Sequence, residues 1–138
     1  MIYLLMSMAT SLPTRGQLER ELSQQIQALY RNNLGHRLGE VDCQIFDGKI
    51  AIVLENAITP AEQLLVSDGK QELVEEIHSS LTEALYSRLK ALIEQIVGVS
   101  VLDLLSDTTL ETERTGMIAV LAAQPQLRNR TNGGLEPS

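Results

Sequence analysis

The sequence predicts a single α+β domain with elements in the order α-β-β-α-α-β-β, in which a four-stranded, mainly antiparallel sheet packs against one long and one medium helix. Three observations support this prediction. Two apolar runs flank the dipeptide Asp47-Gly48, a helical periodicity extends over residues 70 to 97, and two further apolar runs follow it. Runs of period two favour strands, whereas apolar residues at intervals of three and four favour an amphipathic helix.

The first helix is predicted to begin after Thr14. Thr14 followed by Gln17 is the pattern of a capping box, in which each residue's side chain binds the backbone N–H of the other. Apolar residues then share one helical face: Leu18, Leu22, Ile26, Leu29 and Tyr30. Asn33 and Gly35 indicate the end of this helix.

The dipeptide Asp47-Gly48 predicts a two-residue hairpin turn, because both positions of such a turn must tolerate positive φ. The turn fixes the register of the two strands. Three apolar pairs then share one face: Ile45 with Ile50, Cys43 with Ile52, and Val41 with Leu54. This face is the predicted core side of the hairpin.

The opposite face of the hairpin carries Phe46, Ala51 and Val53 among polar residues. It is more apolar than a sheet surface that faces only water. We therefore expect something to cover it, and these three residues are the predicted partner-binding surface.

Thr59, Pro60 and Glu62 predict the start of a short helix that extends through Val66. Threonine at the cap, proline in the first turn and glutamate three residues after the cap each suit the unpaired N–H groups of a helix start. Gly69 then breaks or bends the helix.

A long helix follows over residues 70 to 97, and Gly98 ends it. Its first apolar stripe is the predicted core face: Leu73, Ile77, Leu81, Leu85, Leu89, Leu92 and Ile96. A helix of this length reaches about 42 Å at 1.5 Å per residue, more than a domain of this size needs for its own core. The excess length predicts a homodimer.

A second, partly apolar stripe on the same helix is the predicted dimer interface. Its candidate residues are Val74, His78, Tyr86 and Ile93. Residues 99 to 107 and 116 to 123 predict two further strands, the second of which has no charged residue and suits a central strand covered on both faces.

These elements predict three regions of chain. Residues 1–13 are expected to form a flexible N-terminal extension, and residues 14–122 the single α+β domain. Residues 123–138 are rich in Pro, Gly and Asn without periodicity, and we expect a disordered C-terminal tail.

Composition and charge exclude several classes of protein. The net charge of −7 repels phosphate and anionic lipid, so neither nucleic acid nor a membrane is an expected partner. The single cysteine, Cys43, excludes an intramolecular disulfide and fits a reducing cytoplasm. No stretch is long and apolar enough to predict a membrane span.

No catalytic, cofactor-binding or metal-binding residues are predicted, and we expect a protein that is not an enzyme. His36 and His78 lie in no recognisable catalytic motif, and they do not make a metal site with Cys43. The hairpin register places Cys43 on the core face, where a buried and slowly reacting thiol is expected. Asp103 interrupts an apolar strand and is the acidic residue of most interest.

Four segments together suggest a family: "TRGQLERELSQQIQALYRNNLG", "FDGKIAIVLE", "ITPAEQLL" and "IVGVSVLDLLSD". Over residues 14 to 122 they resemble a family of small bacterial proteins catalogued as a domain of unknown function, and in particular its cyanobacterial branch of β-carboxysome assembly chaperones. The resemblance implies a homodimeric, non-catalytic protein that binds the C-terminal extension of a carboxysome shell protein. It implies a cytoplasmic, carboxysome-associated location.

Two functional hypotheses follow. In the first, a dimeric chaperone captures a flexible peptide of its partner, either by strand addition or in a groove between helices. In the second, the protein is a regulatory or small-molecule-sensing domain linked to inorganic carbon metabolism, with its ligand enclosed at the dimer interface.

Overall fold

The computed structural model describes residues 11–128. This part of the chain forms three helices and four strands. In chain order they are α1 (Arg15–Leu34), β1 (Val41–Phe46), β2 (Lys49–Leu54), α2 (Pro60–Ser67), α3 (Gln71–Val97), β3 (Val101–Thr109) and β4 (Arg114–Leu121). The predicted α+β class and the element order are confirmed.

The four strands form one antiparallel sheet in the order β1-β2-β4-β3. The first hairpin has the predicted register, with Ile45 opposite Ile50 and Cys43 opposite Ile52. At its turn, Asp47 adopts a φ of 54°. Because β4 lies between β2 and β3, strands β1 and β3 are the two edges of the sheet.

One face of the sheet packs against the helices. Helix α1 contacts β1 and α3, helix α3 contacts β3, and helix α2 packs on α3. Fully buried side chains from the sheet and both long helices fill the space between them: Leu22, Ile26, Ile50, Ile52, Leu54, Leu89 and Ile93. Removal of this apolar surface from water is the main favourable contribution to folding.

Capping boxes begin α1 and α2, as predicted. At α1, the Thr14 side chain accepts from the Gln17 N–H at 3.2 Å, and the Gln17 side chain accepts from the Thr14 N–H at 2.9 Å. At α2, Thr59 and Glu62 form the same arrangement. Gly98 ends α3 in the left-handed conformation, with φ of 76°, which glycine adopts without the steric penalty of a side chain.

The buried face of α3 differs from the prediction. Leu73, assigned to the core stripe, is 43% exposed, whereas Val74 and Ile93, assigned to the dimer stripe, are completely buried. A second copy of the chain cannot reach Val74 or Ile93 in this protomer, so we withdraw both from the predicted interface. The two stripes adjoin on the helix, and periodicity alone does not show which one faces the sheet.

Strand β4 is central, as predicted, but helices of the described chain cover only one of its faces. Ile118 and Val120 on the other face are half-buried. Within residues 11–128 no helix covers this second face, and the predicted cover there stays a prediction. The absence of charge in this run fits the central position of β4 in the sheet.

The domain extends further than predicted at its C-terminal end. Pro125 is buried and Leu127 packs against the core. The Arg128 N–H also donates to the Pro13 carbonyl at 2.8 Å, which joins the two ends of the described chain. The prediction of disorder from residue 123 is thus corrected for 123–128, while the rest of the predicted tail and residues 1–10 lie outside the described residues.

Ile93→Ala tests the corrected face of α3. Because Ile93 is fully buried in its own protomer, the substitution should lower the free energy of unfolding by about 2–5 kcal/mol. Leu73, an exposed residue of the other stripe, provides the control, and Leu73→Ala should lower the free energy of unfolding much less. Denaturant unfolding measures both, and a loss for Ile93→Ala that varies with protein concentration would return this residue to a subunit interface.

Cys43 should react slowly, because burial raises the pKa of its thiol to about 11. At pH 8 the folded protein should react with a disulfide reagent more than about a hundredfold more slowly than the same protein in denaturant. Absorbance of the released thiolate follows the reaction. Equal rates for folded and unfolded chains would show that Cys43 is accessible and ionised.

Candidate functional site

The two edges of the sheet differ in how their main-chain groups are satisfied. On β1, the outward Ile45 N–H donates to Glu19 of α1 at 2.8 Å. On β3, side chains satisfy the two ends: Glu94 accepts from the Val101 N–H at 2.8 Å, and Asp107 accepts from the Thr108 N–H at 2.9 Å. Within residues 11–128, no strand pairs with the outer side of β3.

The register shows which groups of β3 face this open edge. Thr108 lies opposite Thr115 on β4, and their hydroxyls are 2.6 Å apart, which is typical of a pair whose main-chain groups point away from each other. Alternation along the strand then directs the N–H and C=O groups of Leu104 and Ser106 outward as well. These groups form an unpaired hydrogen-bonding edge.

A cavity of about 470 Å³ lies beside this edge, between α3 and β3. We call it the α3–β3 groove and define it by its lining residues: Glu75, His78, Ser79, Thr82, Glu83, Tyr86, Leu104, Ser106, Asp107, Thr108 and Leu110. Hydroxyl and carboxylate groups predominate among them, and none of these residues is Lys or Arg. The groove is therefore acidic.

A chain of hydrogen bonds, which we call the His78 network, lies at one end of the groove. His78 Nδ1 is 2.7 Å from a carboxylate oxygen of Glu62, and His78 Nε2 is 3.0 Å from the Thr108 hydroxyl. The Thr108 hydroxyl continues the chain to Thr115 at 2.6 Å. The other carboxylate oxygen of Glu62 accepts from the N–H and the hydroxyl of Thr59.

The partners of His78 assign its protons. An ionised carboxylate only accepts, so Nδ1 carries the hydrogen that is donated to Glu62. In a neutral ring, Nε2 then accepts from the Thr108 hydroxyl, which in turn accepts from Thr115. Glu62 is 2% exposed, so the network satisfies a buried carboxylate and connects α2, α3 and both strands of the second hairpin.

Carboxylate, imidazole and hydroxyl occur here in the order used by nucleophilic hydrolases. In this protein the Thr108 oxygen is also held by Thr115, and Glu62 also caps α2. The geometry therefore suits a rigid support for the groove. The described residues contain no group of three or more His, Cys, Asp or Glu side chains that could hold a metal ion.

The predicted partner-binding residues lie on the face of the sheet that the helices leave open. Ala51 is opposite Ile118, which is opposite Leu105, so an apolar row crosses from β2 to the β3 edge. Phe46 and Val53 flank this row and are both exposed. The structure thus brings the three predicted residues onto one surface, whose apolar row ends at the open strand.

Two of the predicted dimer-interface residues line the groove instead of a separate helix face. Tyr86 is exposed there, whereas the His78 side chain is only 14% exposed and is bonded through both ring nitrogens. The interface role of Tyr86 and the homodimer itself stay predictions. The other histidine, His36, is buried in a loop and contacts the Asn56 carbonyl at 2.7 Å.

A larger cavity of about 730 Å³ lies between α1 and α3, on the helical side of the molecule. Its lining includes Gln17, Gln24, Gln25 and Gln95, which have long amide side chains, and none of the four described strands contributes to it. The smaller α3–β3 groove is the better candidate site, because it combines a cavity with an open main-chain edge.

Sequence patterns did not predict the groove, since it is formed by two segments that meet only in the folded chain. Asp103 was the nearest signal. It interrupts the apolar pattern of β3 and is exposed on the open face, opposite Val120. A charge in an otherwise apolar strand is one of the features that mark an edge strand.

The fold and the groove define a small α+β domain with an open sheet edge beside an acidic groove. The chain belongs to the family described as Na+-translocating membrane potential-generating system (MpsC), which matches residues 14–123. No curated protein and no solved structure matches the chain. None of the helices in the described part of the chain combines the length and apolar character needed to cross a membrane.

The family match corrects the resemblance drawn from the sequence. The likeness to the cyanobacterial β-carboxysome assembly chaperone CcmS was wrong, because the matching family is MpsC. The segments that suggested it contain capping boxes, a hairpin turn and a helix stop. These features serve local folding in many α+β proteins, so they do not distinguish one family from another.

Glu62→Ala should destabilise the protein by about 2–4 kcal/mol, because it removes half of the α2 capping box and leaves His78, whose side chain is 14% exposed, without its carboxylate partner. Gln17→Ala is a matched control, since Gln17 has the same position in the exposed capping box of α1. It should cost about 1 kcal/mol or less. Denaturant unfolding compares the two variants, and equal losses would contradict a stabilising role for the His78 network.

Proposed function

We propose that this chain is a non-enzymatic binding protein that captures an extended segment of another protein as a fifth strand on the β3 edge. The observation that carries the proposal is the unpaired edge of β3 beside the α3–β3 groove. In strand addition, main-chain hydrogen bonds supply affinity, and pockets for alternate side chains supply specificity. The edge and the groove provide these two elements.

The geometry of the β3 edge defines the main-chain pairing and the side-chain directions of the captured segment. Its main-chain groups pair with those of Leu104 and Ser106, and every second side chain enters the groove. On the other face of the segment, the side chain beside Leu105 continues the apolar row that crosses the open face through Leu105 and Ile118. The His78 network holds α3 and β3 together at one end of the groove, which fixes the width available to the segment.

The description of the family indicates the kind of system in which a partner for this edge would be found. Its description names a Na+-translocating membrane potential-generating system, and we place the captured segment in another protein of such a system. A cytoplasmic location is part of this proposal, in keeping with the single buried cysteine. A carboxysome partner is not part of it, since that expectation came only from the corrected resemblance.

A second candidate is a regulatory, small-molecule-sensing domain. The volume of the groove, about 470 Å³, lies within the range of small-ligand sites and favours this function. Thermal unfolding in the presence of candidate metabolites separates the two functions. A ligand at a hundred times its dissociation constant would stabilise the chain by about 2.7 kcal/mol, whereas a protein that binds only peptides would show no such shift.

Photo-crosslinking in the source cells tests strand capture. A photoreactive amino acid in place of Tyr86, inside the groove, should crosslink to a discrete partner protein. The same group in place of Gln24, which lines the larger cavity between the helices, should not. Gel shift followed by mass spectrometry identifies the product.

Edge variants complete this test. Ser106→Pro removes an outward N–H and should abolish the crosslink, while Ser106→Ala, which keeps the N–H, should preserve it. Unfolding curves confirm that each variant is folded. If Ser106→Pro crosslinks as well as the unsubstituted chain, strand addition is excluded. If Val53→Asp loses the crosslink while Ser106→Pro keeps it, the binding surface lies on the open face of β1 and β2.

A further inference from the structure

We propose that the segment captured on β3 is cationic, with basic residues at two alternate positions and an apolar residue between them, and that it is not a second copy of this chain. This inference rests on the proposed function, because it specifies the partner of the same edge. Two sets of carboxylates carry the inference, one on the open face of β3 and one in the α3–β3 groove.

The side chains of β3 on the open face of the sheet set the alternating pattern of the captured segment. Asp103, Leu105 and Asp107 lie opposite Val120, Ile118 and Gly116, so they share the open face of the sheet at intervals of two. An added strand places one side chain beside each of them. Opposite charge beside each aspartate and an apolar side chain beside Leu105 give the order basic, any residue, apolar, any residue, basic.

The groove side of β3 has the same sign of charge. Glu75 and Glu83 of α3 line the groove and are exposed, and no lysine or arginine lines it with them. The side chains that an added strand directs into the groove therefore meet carboxylates as well. A segment with acidic residues on either side would be repelled.

No ion pair between described residues neutralises either of the two aspartates. The ion pairs among the described residues join Lys70 to Asp68, Arg114 to Glu55, and His78 to Glu62. Arg114, the basic residue on the open face of the neighbouring strand β4, is paired with Glu55, and Lys49 lies further away on β2, with β4 between it and β3. Asp103 and Asp107 thus keep their charge available for a partner.

The same charges disfavour a second copy at this edge. Antiparallel self-pairing of β3 about Leu105 places Asp103 of each copy opposite Asp107 of the other. Like charges placed directly opposite each other on paired strands are destabilising. The net charge of −7 adds a general repulsion between copies.

Three synthetic peptides test the charge rule by isothermal titration with the full chain. They share the core X-Thr-Val-Thr-X and differ only at X, which is lysine, glutamine or glutamate. The lysine peptide should bind at least about tenfold more tightly than the glutamate peptide, with the glutamine peptide between them. Higher salt should reduce the difference, because the charges are exposed.

A charge-reversed variant provides the decisive comparison. Asp103→Lys combined with Asp107→Lys should reverse the order and favour the glutamate peptide. Glu21→Lys combined with Asp68→Lys changes the net charge equally at exposed positions away from the groove, and it should preserve the original order. Unfolding curves verify that both double variants are folded.

The outcomes separate this inference from the proposed function. If a partner crosslinks through the groove but all three peptides bind alike, or the reversed variant keeps the lysine preference, the cationic rule is wrong and strand capture stands. If Ser106→Pro also leaves the crosslink intact, the proposed function fails as well. Sedimentation that shows a dimer dispersed by Ser106→Pro would make a second copy the occupant and overturn the inference.

Discussion

The buried Glu62 carboxylate is the constraint on which the arrangement of the helices over the second hairpin depends. It is 2% exposed, and a buried charge is costly unless hydrogen bonds satisfy it. Thr59 and His78 supply those bonds, and His78 reaches the sheet through Thr108. One polar group thereby fixes α2, α3 and β3 relative to one another. Apolar contacts fix relative positions less precisely, because they are non-directional.

The position of α3 decides what the sheet exposes. On the β1 side, α1 lies close enough for Glu19 to bond the outward Ile45 N–H, so that edge is partly covered. On the β3 side, α3 leaves a groove between itself and the strand, and the middle of the edge has no pairing strand among the described residues. Open edges are a hazard for aggregation, and the charges of Asp103 and Asp107 restrict which chains can pair there. In the proposed strand capture, the charges that protect the edge would also select the strand that pairs with it.

Local chemistry explains why much of the fold follows from the sequence. The capping residues Thr14 and Thr59, the turn at Asp47 and the stop at Gly98 act within a few positions of chain, and each has the predicted structure. The buried face of α3 was harder to predict. Its apolar stripes adjoin, and the sheet, which assembles from distant segments, selects the stripe that contains Val74 and Ile93.

The α+β class, the element order, the register of the first hairpin and the burial of Cys43 all follow from the sequence, because caps, turns and period-two alternation act over short distances. The strand order, the contacts among Glu62, His78 and Thr108, and the groove beside β3 instead depend on the packing of the folded chain. These features join residues 16 and 30 positions apart, and their geometry depends on how whole elements pack. Pairwise proximity of this kind leaves no periodic trace in the chain, so the candidate site became visible only in the folded molecule.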